Sequence, residues 1–92
     1  MGDPALNEQF SRAADRMTKL PKKPNEADLT VAYGLYKQGA DGDNPKGEPG
    51  TANAREKAKW SAWMSHKGMP REEAKRRYID LVQTFEGKYG KK

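Results

Sequence analysis

Two short segments combine aromatic rings with lysines at the spacing of one helical turn. In the first, Tyr33 is followed by Tyr36 three residues later and by Lys37 four residues later, and residues three or four apart are neighbours on a helix. In the second, Lys59 precedes Trp63 by four residues. Rings can flank a flat base and ammonium groups can contact phosphates, so these segments predict a nucleotide-like ligand with several negative charges.

Each of these side chains also has an ordinary structural interpretation. Aromatic residues at helical spacing most often pack in a core with one polar atom reaching water, and single lysines are most often solvated. The interpretation as a binding site depends on finding two such segments in one basic chain. Tyr78, which follows Arg76 and Arg77, adds a third aromatic and basic group.

The composition favours one small domain with an anionic ligand. The 92 residues, of which 34% are hydrophobic, predict a single domain over residues 1–92 with an ordered core from about 6 to 90. Lys and Arg number 18 against 13 Asp and Glu, which gives a net charge of +5 and favours an anionic partner. The chain has no cysteine and no long apolar run, so we expect a cytoplasmic protein.

Neither a metal site nor a catalytic group is predicted. His66 is the only histidine, so it has no partner for a metal, and we expect a structural role as a positive group near a helix end. The segment Asp41–Asp43 does not begin a calcium loop, because the fifth position is Pro45 and the twelfth is Ala52. Ser65 and His66 are adjacent and would diverge on a helix, so we expect no enzyme and no cofactor.

Apolar residues recur at intervals of three and four in four segments, and no segment alternates like a strand, so the chain is predicted to be all-α. The predicted helices run from Asp3-Pro4 to Leu20, from Asn25 to about Gly39, from a cap at Thr51 to Gly68, and from Pro70 to Gly87 or Gly90. On the second helix, the residues predicted to face the core are Leu29, Ala32, Tyr33 and Tyr36.

The order of several motifs along the chain resembles that of the acyl-CoA-binding protein family. The motifs that carry this resemblance are Pro24, Tyr33-Gly34-x-Tyr36-Lys37-Gln38, Gly42-Asp43, Pro49-Gly50, Lys57-Ala58-Lys59-Trp60-x-Ala62-Trp63, Lys67-Gly68, Glu73-Ala74, Tyr78-Ile79 and Lys88-Tyr89-Gly90. The resemblance implies a four-helix up-down-down-up bundle that binds medium- to long-chain acyl-CoA esters and transports or stores them without chemistry. It further implies a monomer that makes transient contacts with acyl-CoA-using enzymes or membrane surfaces.

The resemblance also assigns roles to individual positions. Residues implied to contact the phosphates or the adenosine are Tyr33, Tyr36, Lys37, Arg55, Lys59, Tyr78 and Lys19. Residues implied to approach the acyl chain or the adenine are Phe10, Ala14, Leu29 and Thr30. Thr18 stands at a position that is usually basic, and Lys19 lies about 100° further around the helix. Small or polar residues replace the family's larger apolar ones near the third helix, at Asn44, Thr51, Ala52 and Ala54.

A small basic helical module that binds nucleic acid is the alternative function. It is motivated by the net charge of +5 and by the run Lys75-Arg76-Arg77. Acidic residues at Glu72, Glu73 and Asp80 flank this run, so a solvated face with paired charges explains it more simply. We therefore expect no nucleic-acid partner.

Overall fold

The computed structural model describes residues 3–50 and 53–90, and these ranges contain four α-helices. Helix α1 spans Pro4–Thr18, α2 spans Glu26–Asp41, α3 spans Ala54–Met64 and α4 spans Arg71–Tyr89. No residue of these ranges lies in a strand, which confirms the all-α prediction. None of these helices is long and apolar enough to cross a membrane.

Short polar side chains determine where the first three helices begin. Asp3, Asn25 and Asn53 each accept a hydrogen bond from a backbone N–H of the following first turn, at 2.8–2.9 Å. Such caps satisfy backbone donors that have no partner inside the helix. The predicted cap Thr51 lies outside the described residues, and Asn53 caps α3 instead.

The ends of the first three helices differ from the predicted ends by two to four residues, whereas α4 ends at Tyr89, between the two predicted positions. Helix α1 stops at Thr18 and α3 at Met64, before the predicted ends at Leu20 and Gly68. Helix α2 continues through the predicted stop at Gly39 to Asp41. It ends there because Gly42 adopts a positive φ of 82°, which a helix cannot continue through and which glycine adopts without strain.

Helices α1 and α4 pack side by side and run parallel. Near their first turns, the Lys75 ammonium donates to Asn7 Oδ1, and near their last turns Arg16 makes a bidentate ion pair with Glu86, at 2.8 Å and 3.0 Å. Contacts between matching ends are possible only if the two helices point the same way.

Helix α2 lies on the other side of α4 and runs antiparallel to it, whereas α3 packs on α2 and runs parallel to it. Asp28, near the start of α2, accepts a hydrogen bond from Lys88 near the end of α4 at 2.7 Å. The start of α3 pairs with the start of α2, and Trp63 near the end of α3 donates to Gly42 at the end of α2. The four directions therefore confirm the up-down-down-up topology.

The core occupies the junction of α1, α2 and α4. Its buried residues are Phe10, Ala13, Ala32, Leu35, Tyr78, Val82 and Phe85. The molecule is flattened and measures 39 × 34 × 14 Å. Parts of α2 stay open to solvent although α4 and α3 pack against two of its sides.

The prediction for the buried face of α2 is partly wrong. Tyr36 is 38% exposed and Tyr33 is half-buried, whereas Leu35 and Gln38 are buried. Because α4 covers one side of α2 and α3 covers another, two separate stripes are buried. The aromatic stripe lies on the open face between them.

The prediction of a solvated basic run on α4 is wrong for Lys75. This side chain is only 8% exposed, and its ammonium lies 5.8 Å from the centroid of the Phe10 ring. Arg77 is exposed and pairs with Glu73 at 2.8 Å, as predicted for that residue. The run is therefore divided between the interior and the surface and does not present three adjacent charges.

His66 lies near a helix end as expected, but the expected positive charge is disfavoured. Helix α3 ends two residues before it, at Met64. Partial burial, and then the nearby charge of Arg77, lower the pKa of His66 below its ordinary value, which favours the neutral imidazole at pH 7. Within residues 3–50 and 53–90, no group of three His, Asp or Glu side chains could hold a metal ion.

Candidate ligand-binding groove

The open face of α2 forms the floor of a groove. Leu29, Tyr33 and Tyr36 follow one another at intervals of four and three residues, so they lie on one helix face. Rings from α1 and α4 border this face on one side, and cations from α3 border it on the other. We call this surface, from the rings beside Tyr36 to the cations beside Tyr33, the groove.

Three rings from three helices form an aromatic cluster on one side of the groove. Phe10 stacks on Tyr36 with ring centroids 5.3 Å apart and planes 18° apart, and it meets Tyr78 edge-on at 5.3 Å. Tyr36 and Tyr78 are tilted by 59° at 5.5 Å. Phe10 and Tyr78 are buried, whereas Tyr36 is exposed enough to present its ring to a flat ligand.

Tyr78 should titrate well above an ordinary tyrosine. Burial, with a smaller contribution from Tyr36, raises the pKa of Tyr78 from 10.0 to about 12. The folded state therefore holds this proton more tightly than the unfolded state does, so the stability contributed by Tyr78 is present below pH 10 and is lost as the pH rises toward 12. The measurement is the difference in tyrosinate absorbance between the wild type and Tyr78→Phe during a titration with base. A midpoint near 10 for this difference would show that the ring is not buried.

On the other side of the groove, lysines and aromatic rings pair across the two helices α2 and α3. The Lys59 ammonium of α3 lies 5.2 Å from the centroid of the Tyr33 ring of α2. The Lys37 ammonium of α2 lies 4.9 Å from the centroid of the Trp63 ring of α3. Both distances are within the range of a cation–π interaction. Each of these lysines therefore contacts a ring of the opposite helix.

Lys37 is additionally held by a carboxylate. Its ammonium lies 2.6 Å from Asp41 Oδ2, one turn further along α2. The hydrogen bond from Lys37 to Asp41 raises the pKa of Lys37 above its ordinary value, so the ammonium stays charged at neutral pH. An anionic ligand would therefore compete with Asp41 for this lysine.

A close approach of two backbones brings the lysines and rings together. At Gly34, an added Cβ would lie 2.6 Å from the carbonyl oxygen of Ala62 in α3, far inside normal contact distance. Only glycine lets α2 and α3 come this near, and the approach places Lys59 beside Tyr33. The sequence signal for this packing is the presence of a glycine, a poor helix former, at Gly34 inside a helix.

Two adjoining clefts open on either side of Tyr33 and Lys59, which line both. The first cleft, of about 270 Å³, lies between the starts of α2 and α3; its other lining residues are Lys23, Glu26, Leu29, Thr30 and Arg55. The second cleft, of about 320 Å³, lies under the loop that follows α2, from Gly42 to Gly50. Its other lining residues are Asn44, Lys46, Gly47, Pro49, Glu56, Trp60 and Trp63. Each cleft is lined by aromatic or aliphatic side chains together with basic ones and a single glutamate. This mixture suits an amphiphile with an anionic head.

Hydrogen bonds to side chains of α2 and α3 hold the loop that covers the second cleft. The Trp60 indole N–H donates to the carbonyl of Lys46 at 2.9 Å, and the Trp63 indole donates to Gly42 at 2.8 Å. Asp43 accepts hydrogen bonds from Gln38 at 2.9 Å and from the Gly68 backbone N–H at 2.8 Å. These hydrogen bonds lower the pKa of Asp43. The Trp63 ring, which the sequence predicts beside a flat base, thus also anchors the loop, as the Trp60 indole does.

The structure brings most, but not all, of the predicted site residues to the groove. Lys19 lies in neither cleft and pairs with Asp15 at 3.0 Å at the end of α1. Ala14 packs against the core and also lines neither cleft. Arg55 lines the first cleft, where its guanidinium is engaged by Glu26. Sequence reasoning missed the carboxylates Glu26 and Asp41, because helix capping explained acidic residues at helix ends.

The up-down-down-up fold and the groove define a small four-helix protein that binds an amphiphilic ligand. The model of the family described as acyl CoA binding protein matches residues 7–82 of this chain. The chain belongs to the acyl-CoA-binding protein family.

Individual relatives agree with this assignment. The acyl-CoA-binding protein homolog of Drosophila melanogaster is 38% identical over 84 residues, which cover 91% of this chain and 98% of the relative. The crystal structure of acyl-CoA-binding protein 2 from Oryza sativa matches with a TM-score of 0.83 at 35% identity, covering 90% of this chain and 92% of that one. The solution structure of the yeast acyl coenzyme A binding protein matches with a TM-score of 0.72 at 41% identity, covering 87% and 93% of the two chains.

Proposed function

We propose that this protein binds medium- to long-chain acyl-CoA esters in the groove and transports or stores them without chemistry. Its family is one of non-catalytic acyl-CoA-binding carriers. The observation that carries the proposal is the pairing of Lys37 and Lys59 with rings across α2 and α3. Lys59 lies beside Tyr33, and both line the two clefts. Lys37 lies beside Trp63, which lines the second cleft.

The parts of the ligand are assigned by their chemistry. The phosphate on the ribose would be held by Lys37, Lys59 and the Tyr33 hydroxyl, because ammonium and phenol groups donate to phosphate oxygens. The adenine would lie against the aromatic cluster, where Tyr36 offers an exposed ring. The acyl chain would enter the first cleft beside Leu29 and Thr30, near Arg55. Lys19 and Ala14 are not part of this proposal.

We further propose that the chain acts as a single cytoplasmic domain and as a monomer that needs no cofactor. Its absence of cysteine suits a reducing compartment. Delivery of the ester to enzymes or membrane surfaces would use transient contacts. The nucleic-acid alternative is disfavoured because Lys75, one of the three consecutive basic residues that motivated it, is buried.

Titration calorimetry with hexadecanoyl-CoA, free CoA and hexadecanoic acid tests this function. We expect one-to-one binding of the ester, much weaker binding of either part alone, and a change in tryptophan fluorescence because Trp63 lies under Lys37. If the free acid bound as tightly as the ester, the CoA part of the ligand would contribute nothing to the affinity and the proposal would be wrong. Tight duplex DNA binding that falls steeply with salt would instead support the nucleic-acid alternative.

A further inference from the structure

A bidentate ion pair bridges the first cleft at the starts of α2 and α3. The guanidinium of Arg55 donates from Nε to Glu26 Oε2 at 3.2 Å and from Nη2 to Glu26 Oε1. Glu26 is the first residue of α2 and Arg55 is the second residue of α3, and both line the cleft. The pair therefore connects the two walls of the cleft from one side to the other.

The ion pair lies at the opposite end of this cleft from the proposed phosphate site. Glu26 and Tyr33 are seven residues apart on α2, which corresponds to about 10 Å along the helix axis. Leu29 and Thr30 lie between them and also line the cleft. A hydrocarbon chain that starts near Tyr33 and follows α2 would thus pass Leu29 and then reach the ion pair.

The ion pair favours a closed end of the cleft, but it is weak enough for a ligand to separate Glu26 from Arg55. The side chains of Arg55 and Glu26 are 61% and 67% exposed. Exposed pairs of this kind shift an equilibrium by a factor of about five at most. The hydrogen bond from Arg55 lowers the pKa of Glu26, so its carboxylate is charged at neutral pH and the pair persists there.

We propose that Glu26 is a specificity-determining residue that limits the length of acyl chain the first cleft accepts without rearrangement. The inference rests on the proposed function, because it takes the acyl chain to lie in this cleft. Short chains end before the ion pair and leave it intact. Longer chains must part Glu26 from Arg55 or turn out of the cleft into water, and either event costs affinity.

A simpler role for Glu26 predicts a different pattern. If its carboxylate only draws Arg55 away from the phosphates, then removing the charge would raise the affinity for every ester by the same factor. Free CoA, which has no acyl chain, would then gain as much as the longest ester. The dependence on chain length therefore separates the two roles.

The experiment measures the affinities of the wild type and of Glu26→Gln for free CoA and for octanoyl-, dodecanoyl-, hexadecanoyl- and eicosanoyl-CoA by calorimetry. We expect Glu26→Gln to raise the affinity for eicosanoyl-CoA over that of the wild type. This increase should be about three- to fivefold larger than the increase for octanoyl-CoA. Glu8→Gln is the matched control, because it removes an exposed pair with Arg12 at 3.2 Å on α1, outside both clefts. The control should reproduce the wild-type profile.

Each other outcome has a definite meaning. An equal gain for all ligands including free CoA, or an unchanged profile, would overturn the chain-length role while leaving acyl-CoA binding itself intact. A wild type that binds no ester would overturn the proposed function, and this inference with it. Thermal unfolding of both variants identifies any loss of folding, and Glu26→Asp, which keeps the charge on a shorter side chain, should lie between the wild type and Glu26→Gln.

Discussion

Replacing Lys37 and Lys59 together by alanine is expected to weaken hexadecanoyl-CoA binding at least about a hundredfold. A hydrogen bond between charged groups contributes about 1.5–3 kcal/mol, and 1.4 kcal/mol corresponds to a tenfold change in affinity. Each lysine alone should therefore account for about tenfold or more. Lys37→Ala should lower the affinity more than Lys59→Ala does. In the wild type the carboxylate of Asp41 lies 2.6 Å from the Lys37 ammonium, and without this lysine it would repel the phosphates.

Calorimetry on the two single variants and the double variant measures these losses. Lys57→Ala is the control, since Lys57 is exposed on the same helix as Lys59 but lines neither cleft. It should bind within about twofold of the wild type, because an exposed charge outside the site contributes little. A double variant with wild-type affinity would show that the ligand head lies elsewhere.

Replacing Gly34 by valine should lower the free energy of unfolding by about 1–3 kcal/mol, or the melting temperature by about 5–15 °C. The new Cβ would lie 2.6 Å from the Ala62 carbonyl oxygen and 2.8 Å from its carbonyl carbon. Because these are backbone atoms of α3, a side-chain rotation cannot relieve the contact, and the two helices must separate. Ester affinity should fall as well, because Lys59 would move away from Tyr33.

Thermal unfolding followed by circular dichroism measures this effect, and Gly87→Ala is the matched control. Gly87 lies inside α4, and an added Cβ there meets no atom within 4 Å. Alanine is the better helix former, so the control should stabilise the protein by about 0.5–1 kcal/mol. A Gly34 variant as stable as the wild type would mean that α2 and α3 are not packed closely at this point.

Much of the fold follows from local rules. Asp3 and Asn25 mark helix starts because their side chains satisfy backbone donors of the first turn. Pro21 lies beyond the end of α1, since proline lacks the donor that a helix requires. The predicted stop at Gly39 is wrong because a glycine inside a helix is tolerated, and the positive φ that ends α2 is adopted by Gly42.

The candidate site was predictable as a set of residue types but not as a set of contacts. The spacing of Tyr33, Tyr36 and Lys37 identified one face of α2, and the structure places that face at the floor of the groove. The spacing did not reveal that Phe10 would stack on Tyr36 at 5.3 Å. Those two residues are far apart in the sequence, so only the packing of α1 beside α4 and α2 could bring them together.

The sequence by itself determined the four helices, the positive charge and the residue types that can hold a phosphorylated amphiphile, because these depend on neighbours within one turn. The tertiary structure alone decided which lysine meets which ring, that Lys75 is buried, and that Glu26 pairs with Arg55 across a cleft. The physical reason is that contacts between helices depend on how closely their backbones approach. At Gly34 that distance is set by the packing of two helices together and by no local rule.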